Sequence, residues 1–307
     1  METLLELTSG LERPTVSAKA MRLSREAGHW AAYQRLGARL VDTVSTTVAT
    51  IAPWLAHEKL ALLVRYSLWT CLVDERLDGS DMSQSELDRI AWSVSAVLRG
   101  DRVPTPGDVM ETELAVVLAG FREYDRGSGM LTSIVDAVGD GLMAALEHAE
   151  LSRQVALGSA DPPTAEEYLD VASRHIRYRS FALGLLQVAG AAPTREAMEV
   201  VEQALSSASR AVRLVNDLRT AAKDEREGSL NILALHTSGR VRLGVQEIEC
   251  QVERHVQTHD ELLESASDLG LSELFVSALT NSVRVAVGMY RITDLMQEEP
   301  WPFPPIP

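Results

Sequence analysis

Apolar residues return every three or four positions along almost the whole chain, while stretches that alternate apolar with polar are scarce. That period lets an α-helix bury one face, and it does not suit a half-buried strand. Ala, Leu, Arg and Glu, which tolerate the helix well, dominate the periodic segments. The pattern predicts helices over 19–27, 29–52, 57–78, 83–99, 108–124, 129–157, 164–190, 194–223, 229–236, 240–268 and 271–296. Gly and Pro gather between them, as in GDRVPTPGD (100–108), DRGSG (125–129), ADPP (160–163) and GAAP (190–193). Ser83 and Ser229 stand where N-caps belong. The linkers are short, and no internal repeat or low-complexity tract divides the chain. One all-α domain is therefore expected over 17–299, after a loose arm at 1–16 and before a Pro-rich tail, PWPFPPIP (300–307), that cannot be helical.

Charge narrows the class of function. The 307 residues carry 44 acids against 29 bases, a formal charge of −15. No run of bases stands out, so neither nucleic acid nor an anionic membrane is an expected partner. An anionic ligand would need metal ions or a few placed arginines to enter such a field. The two cysteines, Cys71 and Cys250, form no CxxC, which argues against a disulfide framework or a structural zinc and fits a reducing, cytoplasmic setting. METLLELTSGLERP lacks the basic start and apolar core of a signal peptide. No apolar run approaches the ~20 residues that cross a bilayer.

Two polar stretches break the pattern. In CLVDERLDGSD (71–81) an apolar helix runs into Asp74, Glu75 and Asp78. Acids so close together repel each other, and at a helix C-terminus they face the negative end of its dipole. A cation is the natural compensation. In RLVNDLRTAAKDERE (213–227), Asn216, Thr220 and Asp224 follow one another at i, i+4 and i+8, which sets an amide oxygen, a hydroxyl and a carboxylate in one row of a helix. These are hard oxygen donors of the kind Mg²⁺ prefers, and Mg²⁺ completes its shell with water and phosphate oxygens. Two such clusters suit a diphosphate held between two helices.

Asp74-Glu75-Arg76-Leu77-Asp78 resembles a DDxxD motif with Glu in second place. Asn216-Asp217-Leu218-Arg219-Thr220-Ala221-Ala222-Lys223-Asp224 resembles NDxx(S/T)xxxE with Asp for the final Glu. Their order, and a separation of about 140 residues, are similar to those of bacterial class I terpene synthases. Within that family the chain looks most like the single-domain diterpene synthases that act on labdane-type diphosphates, of the ent-kaurene synthase and terpentetriene synthase type. That likeness lies in RLVNDLRTAAKD, in EYL (167–169) and in overall size.

The resemblance implies an α-helical bundle around a central active-site cavity. It implies an enzyme, a carbon–oxygen lyase that binds three Mg²⁺ ions, releases diphosphate from a C20 substrate and steers the resulting carbocation. It makes Asp74 the main ligand of the first metal site, with Asp78 and Glu75 as further ligands or supports, and Asn216, Thr220 and Asp224 the ligands of the second. Lys223 matches a position that contacts diphosphate. The family's diphosphate-sensor position falls on Asp170 here, so Arg174 and Arg177 in SRHIRYRS (173–180) become the candidates. Tyr290-Arg291 stands in reversed order to the family's C-terminal Arg-Tyr pair. Homodimers are common in the family.

No DxDD motif occurs, so a bicyclic labdane-type substrate would have to come from a separate class II cyclase. The rivals are a sesquiterpene synthase using farnesyl diphosphate, a cyclase of geranylgeranyl diphosphate, a chain-elongating prenyltransferase, and a non-catalytic helical binding protein of the same fold. A prenyltransferase would carry a second DDxxD, which 216–220 does not supply. On the first-motif helix Cys71, Thr70, Ser67 and Tyr66 project to the side of Asp74, with Trp69 and Phe181 as nearby aromatics that by default serve the core. His255 and His259 lack an HExxH frame and read as surface residues, and GDGLMA (139–144) matches a dinucleotide fingerprint only by chance, inside a helix.

Overall fold

A computed structural model of the chain describes residues 13–77, 83–127, 129–235 and 243–292. In order these form α1 (Arg13–Ala27), a 3-10 helix (Ala31–Leu36), α2 (Ala38–Ile51), α3 (His57–Leu77), α4 (Gln84–Arg99), α5 (Val109–Glu123), α6 (Met130–Ala156), α7 (Ala165–His175), α8 (Tyr178–Ala189), α9 (Arg195–Glu227), α10 (Val245–Asp268) and α11 (Glu273–Ile292). No strand occurs among the described residues.

Helix starts are fixed by side chains that satisfy otherwise orphaned backbone N–H groups. Ser83 and Glu86 form a capping box at α4, and Thr164 and Glu167 form another at α7. Asp108 accepts from Glu111 N at the start of α5, and Thr194 from Ala197 N at the start of α9.

α9 is 33 residues long, roughly 50 Å at 1.5 Å per residue. It packs against α7, α8, α10 and α11. α3 packs against α1, α2, α5 and α8. α8 thus touches both motif-bearing helices, and α11 closes the ring by packing on α2, α8 and α9. The middle of α3 is fully buried: Leu60, Leu63, Val64, Leu68, Trp69, Leu72 and Val73 are all 0% exposed. At about 1.5–3 kcal/mol for each large side chain, this burial far outweighs the fractions of a kcal/mol that acids cost at a helix end. A helix that finishes in carboxylates can therefore fold.

Several boundaries depart from the periodicity. The first helix begins at Arg13, inside the expected arm, with Val16 1% exposed and Pro14 tolerated in the first turn. Segment 29–52 divides at Gly37, whose φ of +80° ends the 3-10 helix. Segment 164–190 divides between His175 and Tyr178, where Arg177 takes φ +54°. α9 continues to Glu227, and the helix expected at 229–236 is a turn at 232–235, so Ser229 caps nothing. His259 is not a surface residue: it is 0% exposed, with Nδ1 3.0 Å from Asp260 Oδ1. Residues 1–12, Asp78 and the tail at 300–307 lie outside the described residues.

Candidate active site

The two polar motifs face one cavity of about 110 Å³, open on one side. Asp74 reaches it from the last turn of α3, and Asn216, Thr220 and Asp224 from α9, joined by Lys223, Glu227 and Ser229. His148 on α6, His175 on α7, and Arg213 complete its polar wall. Cys71, Ile176 and Tyr290 line this cavity and also a second, mostly apolar one of about 120 Å³, into which Arg177 also reaches. The apolar chamber is walled by Val44, Val48 and Ile51 from α2, Tyr66, Ser67 and Thr70 from α3, Tyr178 and Phe181 from α8, and Ser282, Ala286 and Met289 from α11. The sequence projection from Asp74 to Cys71, Thr70, Ser67 and Tyr66 is thus met. Phe181 also faces the chamber, whereas Trp69 is core and donates Nε1–H to Met110 O at 2.9 Å.

The acids at the end of α3 have separate fates. Asp74 Oδ1 accepts a hydrogen bond from Arg177 Nη2 and lies 3.4 Å from His175 Nε2. Burial alone would raise its carboxyl, but the Arg177 guanidinium and His175 hold it well below the usual carboxylate range. Glu75 turns outward to Arg35 Nε at 3.2 Å. Asp74 and Glu75 are thus compensated by arginines of the chain itself.

On α9 the row of oxygens is held from behind. Asp217, 0% exposed, points away from the cavity. It pairs with Arg213 Nε at 2.6 Å and accepts from Tyr168 Oη at 2.7 Å and Ile232 N at 3.2 Å. Burial pushes its carboxyl up to about 6 despite the Arg213 charge. Arg213 Nη2 donates to Tyr168 Oη at 2.6 Å. Thr220 Oγ1 lies 2.6 Å from Asp224 Oδ2 and 3.1 Å from Asn216 O. Lys223 Nζ is 3.7 Å from Glu227 Oε2. Burial first of all holds His148 and His175 below their ordinary value.

The arginine candidates separate. Arg177 is 4% exposed and sits at the break between α7 and α8, with Nε and Nη1 buried and without a hydrogen-bond partner. Arg174 instead bonds Asp140 at 2.9 Å and Glu147 at 3.1 Å on α6, and so does not line the cavity. Arg291 bonds Glu249 at 2.5 Å and lines a separate groove between α10 and α11, while its neighbour Tyr290 faces the site.

His148, His175, Arg213 and Asn231 were not singled out by the sequence. His175 lies within SRHIRYRS, where a single imidazole among three guanidiniums carries no signal of its own. Asn231 lies in the segment whose apolar spacing predicts a helix over 229–236, and which instead turns back against α9.

Among the described residues no three His, Cys, Asp or Glu side chains form a ready-made ion cage. The available donors are a carboxylate on α3 and an amide, a hydroxyl and a carboxylate on α9. That hard-oxygen set fits Mg²⁺ shared with water and phosphate oxygens.

The fold is similar to that of several solved proteins. Linalool/nerolidol synthase from Streptomyces clavuligerus, in complex with 2-fluorogeranyl diphosphate, matches with a TM-score of 0.73 at 18% identity over 89% of this chain and 94% of that one. 2-Methylisoborneol synthase from Streptomyces coelicolor A3(2), in complex with Mg²⁺ and 2-fluoroneryl diphosphate, matches with a TM-score of 0.67 at 15% identity over 89% and 91%. The SVS_A2 protein from ancestral sequence reconstruction matches with a TM-score of 0.66 at 17% identity over 94% and 89%. No curated protein matches the sequence significantly. Residues 65–240, more than half of the chain, match the family model described as terpene synthase family 2, C-terminal metal binding, and the chain belongs to that family. It is an enzyme of the terpene synthase class, with the all-helical fold that goes with it. No helix among the described residues is long and apolar enough to cross a membrane.

Proposed function

We propose that the protein is a Mg²⁺-dependent class I diterpene synthase that ionises a C20 diphosphate, of the labdane-type bicyclic kind, and directs the cation to a cyclised or eliminated product. The observation that supports this most is the junction at Cys71, Ile176 and Tyr290, where a cavity rich in oxygen donors and cations meets an apolar chamber. An amphiphilic diphosphate needs both halves. The C20 assignment draws on RLVNDLRTAAKD and EYL.

Asp74, Asn216, Thr220 and Asp224 would hold three Mg²⁺ ions together with Asp78 of the same motif. Bound there, the ions neutralise charge that develops on the departing diphosphate. Lys223 and Tyr290, which line the polar cavity, and Arg177, which lines the apolar chamber and holds Asp74, would meet diphosphate oxygens, whereas Arg174 and Arg291, paired elsewhere, leave that set and Glu75, paired with Arg35, leaves the metal ligands. For Asp74 to turn to a new partner, Arg177 must release it, which would free the guanidinium to meet a diphosphate oxygen. The apolar walls exclude water that would quench a cation early. Tyr66, Tyr178 and Phe181 line the chamber, and a ring face turned to the cation would stabilise it. The Tyr66 and Tyr178 hydroxyls lie 2.5 Å from the hydroxyls of Ser180 and Ser282.

A shorter substrate is the second reading, favoured by the geranyl and neryl diphosphate analogues in the similar structures. Incubation with Mg²⁺ and farnesyl, geranylgeranyl or copalyl-type diphosphate, followed by gas chromatography–mass spectrometry, separates them. A C20 product only from the bicyclic substrate is expected. A product from farnesyl diphosphate alone would replace the diterpene assignment, and no product from any of the three would count against turnover.

A further inference from the structure

The carboxylate at 224 is one methylene shorter than the glutamate of the motif it matches, yet it still lines the cavity. The structure shows what holds it there. Gly228 closes α9 with φ +68°, and the chain turns back so that Asn231, 2% exposed, lies behind Asp224. Asn231 Nδ2 donates to Asp224 Oδ2 at 2.7 Å and to the Asp217 backbone oxygen at 2.8 Å. Its own Oδ1 accepts from Leu233 N at 3.0 Å, which locks the amide orientation. Thr220 Oγ1 reaches the same Asp224 oxygen, Oδ2. Both restraints therefore fall on one oxygen, and Oδ1 is the one they do not hold.

The turn carrying Asn231 is itself anchored. Leu230 N donates to Ser152 Oγ at 3.0 Å, Leu230 O lies 3.2 Å from His148 Nε2, and Ile232 N donates to Asp217 Oδ2 at 3.2 Å. A rigid support of this kind is what gives a hydrogen bond control over a carboxylate's direction.

We infer that Asn231 is a positioning residue for the second metal site: its amide, fixed by the anchored turn after α9, clamps Asp224 Oδ2 and so presents Oδ1 to a cation in the cavity. This rests on the metal-site reading above. Supporting groups of this kind typically change metal affinity by about 10–100-fold when removed.

The test is a thermal-shift titration of the full chain with MgCl₂ at fixed inorganic diphosphate, beside a melt without either. Wild type should gain stability when both are present. Asn231→Ala should raise the Mg²⁺ concentration for half-maximal stabilisation by about ten-fold or more. Asn231→Ser, which keeps a donor and the turn's contact with Leu233 N, should fall between the two, and it carries the comparison if Asn231→Ala does not fold. A merely structural Asn231 would lower the ligand-free melting temperature and leave the Mg²⁺ midpoint where it was. That result in a folded variant overturns the inference. Absence of any Mg²⁺–diphosphate response in wild type would instead overturn the metal-site reading itself.

Discussion

Gly141 lies in the middle of α6, where a glycine ordinarily costs a helix about 0.5–1 kcal/mol relative to alanine. A Cβ at this position would lie 2.6 Å from Arg177 Cγ and 3.3 Å from the Arg174 carbonyl oxygen. Arg177 cannot easily retreat: Cγ is close to its backbone, that backbone holds φ +54°, and its guanidinium is tied to Asp74. Overpacking of this kind costs about 1–3 kcal/mol, against a gain of about 1 kcal/mol in helix propensity. Gly141→Ala should therefore lose about 0–2 kcal/mol net. At ~2–4 °C per kcal/mol that lowers the melting temperature by no more than about 8 °C. The catalytic effect should be larger in proportion, since displacing a positioned group by ~1 Å can cost ~10²-fold. Gly139→Ala is the control, because its Cβ would meet only Leu98 Cδ2, at 3.2 Å, the end of a flexible side chain. The assay is the far-UV circular dichroism melt together with kcat/KM on the substrate identified by product analysis. Gly139→Ala should keep its activity and melt at or above wild type. If Gly141→Ala behaves the same way, the steric reasoning that links this glycine to Arg177 is wrong.

Asp74→Asn and Asn216→Ala should each cut kcat by about 10²-fold or more with the helical spectrum retained, and normal turnover in either would remove that residue from the site. Tyr168→Phe deletes the hydroxyl that joins Arg213 to Asp217 in the buried wall behind the site, and should cost about 1–3 kcal/mol, read as a clear drop in melting temperature. His148, His175, His255 and His259 are all held below their ordinary value, first of all by burial. Each binds a proton more readily unfolded than folded, so the stability they contribute is fully present above about pH 6.5 and is lost as pH falls below it. Asp217, raised to about 6, contributes stability as pH falls through that value and opposes the histidines there. Their effect is therefore read between about pH 7.5 and about pH 6, and a melting temperature flat over that range would contradict it.

By itself the sequence determined the helical class, since a three-to-four-residue apolar period has few other solutions. It also determined the oxygen row at Asn216, Thr220 and Asp224, because i, i+4 and i+8 share a helix face wherever that helix packs. It placed Cys71, Thr70, Ser67 and Tyr66 beside Asp74 for the same reason. Properties that depend on contacts between segments were out of its reach. Arg174, Arg177 and Arg179 are equivalent cations in one short run, and only tertiary packing sends the first to Asp140 and Glu147, the second to Asp74 and the third to Glu202. The break at Arg177 was invisible because its neighbours keep the helical pattern on both sides. It exists where α6 presents a glycine against the arginine stem and α3 presents a carboxylate to its head. Asn231 gained its place in the same way: a turn brings it against Asp224 and Asp217, and local propensity carries no record of groups that meet only after the chain has folded back.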